Sequence, residues 1–214
     1  MPRQNRVTPM GEIVAVADRG TFMGNRGQLH DPEGKIRRDW QLSRWIICLL
    51  KFKNRKRRVM TPGHYTELFF LDEATAFAAG HRPCAECRRE SFKRYREAIA
   101  AAVPVAVELP HSAIEIDAQL HAERIAADGS KRLHTANLDD LPDRVFVLIP
   151  GEENCPRLVI GRFLLTWSAG GYTERVERPR RQEVRVLTPE LSIRAIRGGY
   201  FPEIHPTAQN WLDR

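Results

Sequence analysis

The sequence has no long apolar run. The best candidate, RWIICLLKF (Arg44–Phe52), is bounded by charge and falls well short of the ~20 residues of a membrane span, so it reads as a buried strand. The opening MPRQNRVTPMGE lacks the apolar core of a secretory leader. Together these absences lead us to expect a soluble, cytoplasmic chain with no membrane partner. Cysteine is scarce as well: four residues (Cys48, Cys84, Cys87 and Cys155) in 214 do not make a disulfide scaffold. Lysine supplies only six of the 34 basic side chains, and so large an arginine share can follow genome composition alone. Internal repeats and low-complexity segments are also lacking.

What is present is an ordinary globular composition, 42% hydrophobic and 29% charged, with an uneven charge distribution. Residues 1–100 carry 20 Lys and Arg against 11 Asp and Glu, whereas the remainder carries 14 against 16. A basic half-chain points to a polyanionic partner, nucleic acid being the commonest. Hydrophobic patterning predicts strands at GEIVAVA, RWIICLLKF and ELFFL, then a short helix EATAFAA between the N-cap Asp72 and the stop Gly80. A second helix is expected to open at Pro83 and run to about Ala102, with Phe92, Tyr95 and Ile99 on its apolar stripe. VPVAVELP reads as a linker, dividing the chain into a basic region 1–103 and a strand-rich region 104–214. The latter offers a helix at AIEIDAQLHAERIAAD, strands at RVFVLI, RLVIGRFLLTW and EVRVL, a Gly-rich loop at SAGGYTERVERPRR, and a helix opening at Thr188-Pro189-Glu190. The expected class is α+β, a small basic zinc-stabilised unit followed by a strand-rich region.

Cys84 and Cys87 form a C-x-x-C. On a helix opening at Pro83 both thiols share the first turn, where free backbone N–H groups and the arginines 82, 88 and 89 favour thiolate. Thiolate both binds metal and attacks disulfides, so metal binding and redox exchange stay open, as does a purely structural role. For zinc, which takes sulfur and imidazole, Cys48 and His64 are the first choices to complete the set, ahead of His81 and the more remote His30.

ELFFLDEATAFAAGHRPCAECR resembles the second half of the zinc-binding domain of Ada-type alkylation-repair proteins, over residues 67–89. The matching positions are Phe69, Phe70, Ala74, Ala78, Ala79, Gly80, Arg82, Pro83, Cys84 and Cys87. The resemblance implies a zinc site of which this cysteine pair is one half. In that family the other half is an upstream C-x-x-x-C whose thiol accepts a methyl group from a DNA phosphotriester. Here the corresponding region reads KRRVMTPGHYT and holds no such pair, so methyl acceptance is not expected.

KFKNRKRR (Lys51, Lys53, Arg55, Lys56, Arg57, Arg58) places six basic residues in eight, as a hairpin tip or solvated loop. With Arg82, Arg88 and Arg89 these residues are the candidate phosphate contacts, and Trp45, Phe52 and Tyr65 could stack bases. Asp117 and His121 lie four apart on the third helix, where an exposed ion pair is the commoner arrangement. With His134, Asp139 and Asp140 they allow a metal-dependent hydrolase. WSAGGY and the His205 tail read as packed turns, and Cys155 as a loop thiol. The expected function is nucleic-acid binding, DNA ahead of RNA, with structural zinc. The alternatives are a hydrolase using His121 and His134, or a thiol-redox protein using Cys84 and Cys87.

Overall fold

The computed structural model describes all residues except 55–57, 103–109, 111, 213 and 214. Its first half builds β1 (Gln4–Val7), β2 (Ile13–Ala15), β3 (Phe22–Asn25), β4 (Ile46–Cys48), β5 (Leu68–Phe70), α1 (Glu73–Ala78), β6 (Arg82–Pro83) and α2 (Arg89–Ala101). Then come α3 (Ala113–Arg124), β7 (His134–Asn137), β8 (Phe146–Leu148), β9 (Arg157–Ile160), β10 (Phe163–Ser168), β11 (Gly171–Glu177), β12 (Glu183–Val186), α4 (Glu190–Arg197) and α5 (Gln209–Leu212). The first sheet is mixed, in the order β2-β1-β5-β3-β4-β6, with parallel pairs β1–β5 and β4–β6. The second is antiparallel throughout, in the order β11-β10-β9-β8-β12-β7. The class is mixed α and β, and the strand-rich second half is as expected. No helix of the described residues is long and apolar enough to cross a membrane.

The larger core cluster draws on both sides of residue 103. Phe77, Tyr95 and Ile99 pack in it with Ile116, Leu191, Ile196 and Tyr200, and the Tyr95 and Ser192 hydroxyls lie 3.2 Å apart between α2 and α4. The two regions thus share apolar burial, the dominant favourable contribution to folding. Charge is buried with its partners. Glu73 accepts hydrogen bonds from Arg88 (2.5 Å) and the Tyr200 hydroxyl (2.7 Å). Asp72 accepts from Thr75 N–H as the α1 cap, from the Tyr172 hydroxyl and from His205 N–H. Burial raises the Asp72 carboxyl above its usual range even though these bonds pull it down. They fasten the chain after α4 onto the start of α1.

Helix α1 lies where its cap and stop place it. Gly80 has φ +88, and a Cβ there would come within 2.5 Å of the Arg124 side chain, so glycine both ends the helix and admits α3. Other expectations need correction. The helix after Gly80 opens at Arg89, not Pro83, because Arg82–Pro83 pairs with β4 as a short parallel strand. GYTERVE is strand β11, hairpinned onto β10, rather than a loop, and RLVIGRFLLTW breaks at Gly161 into β9 and β10. β1, β3, β7 and α5 were not anticipated. Lys53 and Asn54 both have positive φ, which marks a turn after Phe52, but Arg55, Lys56 and Arg57 lie outside the described residues, as does most of the linker.

Candidate metal centre

The parallel pairing of β4 with β6 builds the site. Ile46 stands opposite Arg82 and Ile47 opposite Pro83, with Arg82 N–H donating to the Trp45 carbonyl (3.1 Å) and Cys84 N–H to that of Ile47 (2.9 Å). Cys48 is thereby carried alongside Cys84. The chain then turns: Arg88 N–H donates to the Cys84 carbonyl (3.1 Å) and Glu86 N–H to its sulfur (3.4 Å), which swings Cys87 back towards the other two. All three sulfurs lie within 4.8 Å of one another. Cys48 and Cys84 are buried, Cys87 is half-buried, and all are free thiols. Among the described residues this is the one group of three or more His, Cys, Asp and Glu donors so gathered.

The thiols share protons. Hydrogen bonds from Cys48 and then Cys87 push the Cys84 thiol well down. Donating to Cys84 and lying close to Cys87, together with burial, push Cys48 well up. For Cys87 the largest influence, Cys48, lowers the pKa, but Cys84 and burial outweigh it and the net shift is upward. The shifts favour the thiolate at Cys84 and the protonated form at Cys48 and Cys87. A soft or borderline cation bound by these three sulfurs would replace the remaining protons with metal–sulfur bonds. Zinc–sulfur bonds of about 2.3 Å in a tetrahedron set the sulfurs about 3.8 Å apart, so sulfurs within 4.8 Å of one another need contract by no more than about 1 Å.

The thiols sit at one side of a cleft of about 610 Å³. Its polar lining includes Asn25, Gln41, His64, Tyr65 and Glu86. His64 is exposed in the turn before β5, so it shares the cleft but stands outside the group of three. His81 is fully buried, accepts from Arg26 Nε (3.2 Å) and packs edge-on against Phe70, a core role. His30 is buried against Thr66 (2.6 Å).

Two of the candidate phosphate contacts are corrected. Arg82 is 2% exposed and grips Asp117 through two bonds of 3.0 and 2.7 Å. Arg88 is 6% exposed and bound to Glu73. Neither guanidinium reaches a surface phosphate. Trp45, 3% exposed, is no base-stacking platform, whereas Phe52 and Tyr65 line the thiol cleft. Lys51, Lys53, Arg58 and Arg89 are exposed.

The His121–His134 constellation does not assemble. Asp117 faces Arg82, His121 meets the edge of Trp40 (centroids 4.6 Å apart), and His134 stands on β7 opposite Val186. Burial lowers both imidazoles, and for His121 the neighbouring Arg124 adds to it. Cys155 lies in a turn away from the thiol group. Of the two residues the sequence put first to join the pair, Cys48 lies beside it and His64 stands outside the group. The sequence missed Asn25 and Gln41, which reach the cleft only through tertiary folding. Comparison with protein-family models, curated proteins and solved structures gave no match.

Proposed function

We propose that this chain is a nucleic-acid-binding protein, DNA ahead of RNA, in which a zinc ion on Cys48, Cys84 and Cys87 ties β4 to the turn before α2. The observation that carries it is the convergence of three thiols from two segments within 4.8 Å. A redox dithiol needs two sulfurs; the third supports a metal. Exposed Lys51, Lys53 and Arg58 follow closely on Cys48, and exposed Arg89 follows Cys87. Holding the metal therefore also holds two basic segments side by side. His64, which lines the same cleft, is the candidate fourth donor.

Affinity for a labelled duplex, measured against salt, tests the nucleic-acid half. Each phosphate contact contributes about 0.9 to the slope of log K against log salt, so changing Lys51, Lys53 and Arg58 together to Gln should reduce it by about 2 to 3. An unchanged slope would remove the basic segment from the interface.

A second reading rests on one observation. A three-cysteine site opening onto a cleft leaves a metal position for water or a ligand, the pattern of a catalytic rather than a closed site. Loss of zinc affinity in His64→Ala favours the closed structural site; unaltered affinity favours the open one.

A further inference from the structure

On the other face of the first sheet lies a second cleft, of about 600 Å³. The alternation of side chains along β3 and β4 separates the two: Asn25 and Ile46 line the thiol cleft, whereas Arg26 and Trp45 line this one. Three cations meet here from distant parts of the chain: Arg26 after β3, Arg124 at the end of α3, and Lys131, returned beside α3 by the turn at Gly129. Arg26 and Arg124 are each 1% exposed. Their guanidinium carbons each lie 4.0 Å from the Trp45 ring centroid.

Their bonds run to neutral groups. Arg26 donates to His81 and the Gly11 carbonyl, Arg124 to the carbonyls of Gly80 and Ser43, and Lys131 to that of Ala78. Arg26 Nη2 and Arg124 Nε are buried with no hydrogen-bond partner. Glu12 and Asp39 also line the cleft, and Asp39 acts on Arg26 electrostatically, yet neither forms an ion pair with these three among the described residues. Asp117, which faces Arg124 electrostatically, is committed to Arg82. Burial, foremost, leaves Arg26 and Arg124 near 9 and Lys131 near 7. Buried cations are ordinarily paired, because desolvating an unpaired charge is costly.

We propose that this cleft binds a small phosphate-bearing ligand, its phosphate facing Arg26, Arg124 and Lys131. Two arginines and a lysine with no ion-paired carboxylate match a phosphate dianion better than a monoanion. A cleft of this size, with Trp40 on its wall, also has room for an organic group. The site is separate from the thiol cleft and does not rest on the metal reading.

Calorimetric titration of the full chain with inorganic phosphate, and separately with succinate, at constant ionic strength tests it. One phosphate per chain is expected, bound more tightly than succinate, weakened about tenfold in Lys131→Gln and unchanged in Cys84→Ser. No phosphate binding by the wild-type chain overturns the site, as does succinate binding as tightly. Loss of binding in a Cys84→Ser chain that circular dichroism shows to be folded also overturns it, by placing the anion on the metal. Acylation of the wild-type chain by acetic anhydride, mapped by mass spectrometry, needs no variant. Phosphate should protect Lys131 and leave exposed Lys35 and Lys93 unprotected; equal labelling of Lys131 with and without phosphate contradicts the proposal.

Discussion

The two faces of the first sheet solve opposite electrostatic problems. One gathers three sulfurs, the other three cations with no carboxylate in ion-pair contact. Thiols can converge cheaply because they shed charge by staying protonated, as the upward shifts of Cys48 and Cys87 express. Guanidiniums have no such escape: even lowered to about 9, Arg26 and Arg124 remain charged at neutral pH. The thiol face can therefore fold before its ion arrives, whereas the cationic face carries a standing cost that an anion would offset. Arg82 joins the two, standing two residues before Cys84 and clamping α3, whose last residue is Arg124.

The largest effect is expected at the sulfurs. Cys84→Ser should abolish zinc binding and lower the unfolding free energy by at least about 3 kcal/mol, a loss that chelator reproduces in the wild-type chain. Equal stability of the two proteins, with and without chelator, would deny the metal any structural role. Next comes the clamp. Arg82→Ala leaves Asp117 buried and unpaired and should cost about 3–5 kcal/mol in denaturant unfolding, while the double variant Arg82→Met, Asp117→Leu recovers most of it. If the double variant is as unstable as the single, the clamp acts through more than charge pairing.

His81 gives a smaller, pH-dependent effect on the cationic face. Burial first, then Arg26 and Arg124, hold its pKa well below 6.5. The folded state keeps it neutral while the unfolded state takes up a proton. Its contribution to stability is thus complete above about pH 6.5 and lost as pH falls below it. Between pH 6.5 and 5, His81→Gln should flatten the fall in stability by up to about 1.4 kcal/mol per pH unit. Superimposable pH profiles would mean that His81 does not face the two arginines in solution. The smallest effect is expected at His64→Ala, about tenfold in zinc affinity with the melting temperature of the metal-free chain unmoved.

What the sequence revealed was what neighbouring residues decide. Asp72 and Gly80 frame α1 because capping and positive φ are local chemistry, and the C-x-x-C marked half of the thiol group by itself. Cys48 could be named because it is the nearest thiol upstream of the pair, within an apolar run. The strand pairing that aligns it with Cys84 is long-range, and that same pairing took Pro83 from the helix the local pattern assigned to it. Arg82 and Arg88 read as surface charge for a related reason: Asp117 and Glu73, which neutralise them, are 35 and 15 residues away. The cationic face left no local trace, since residues 26, 124 and 131 form no motif and meet only in the folded chain.

The most direct test of the metal account is elemental analysis of the full chain purified without chelator, alongside Cys48→Ser, Cys84→Ser and Cys87→Ser. The account predicts about one zinc per wild-type chain and none in any of the three variants. No metal in the wild-type chain, or zinc retained when any one of the three sulfurs is replaced, would contradict it.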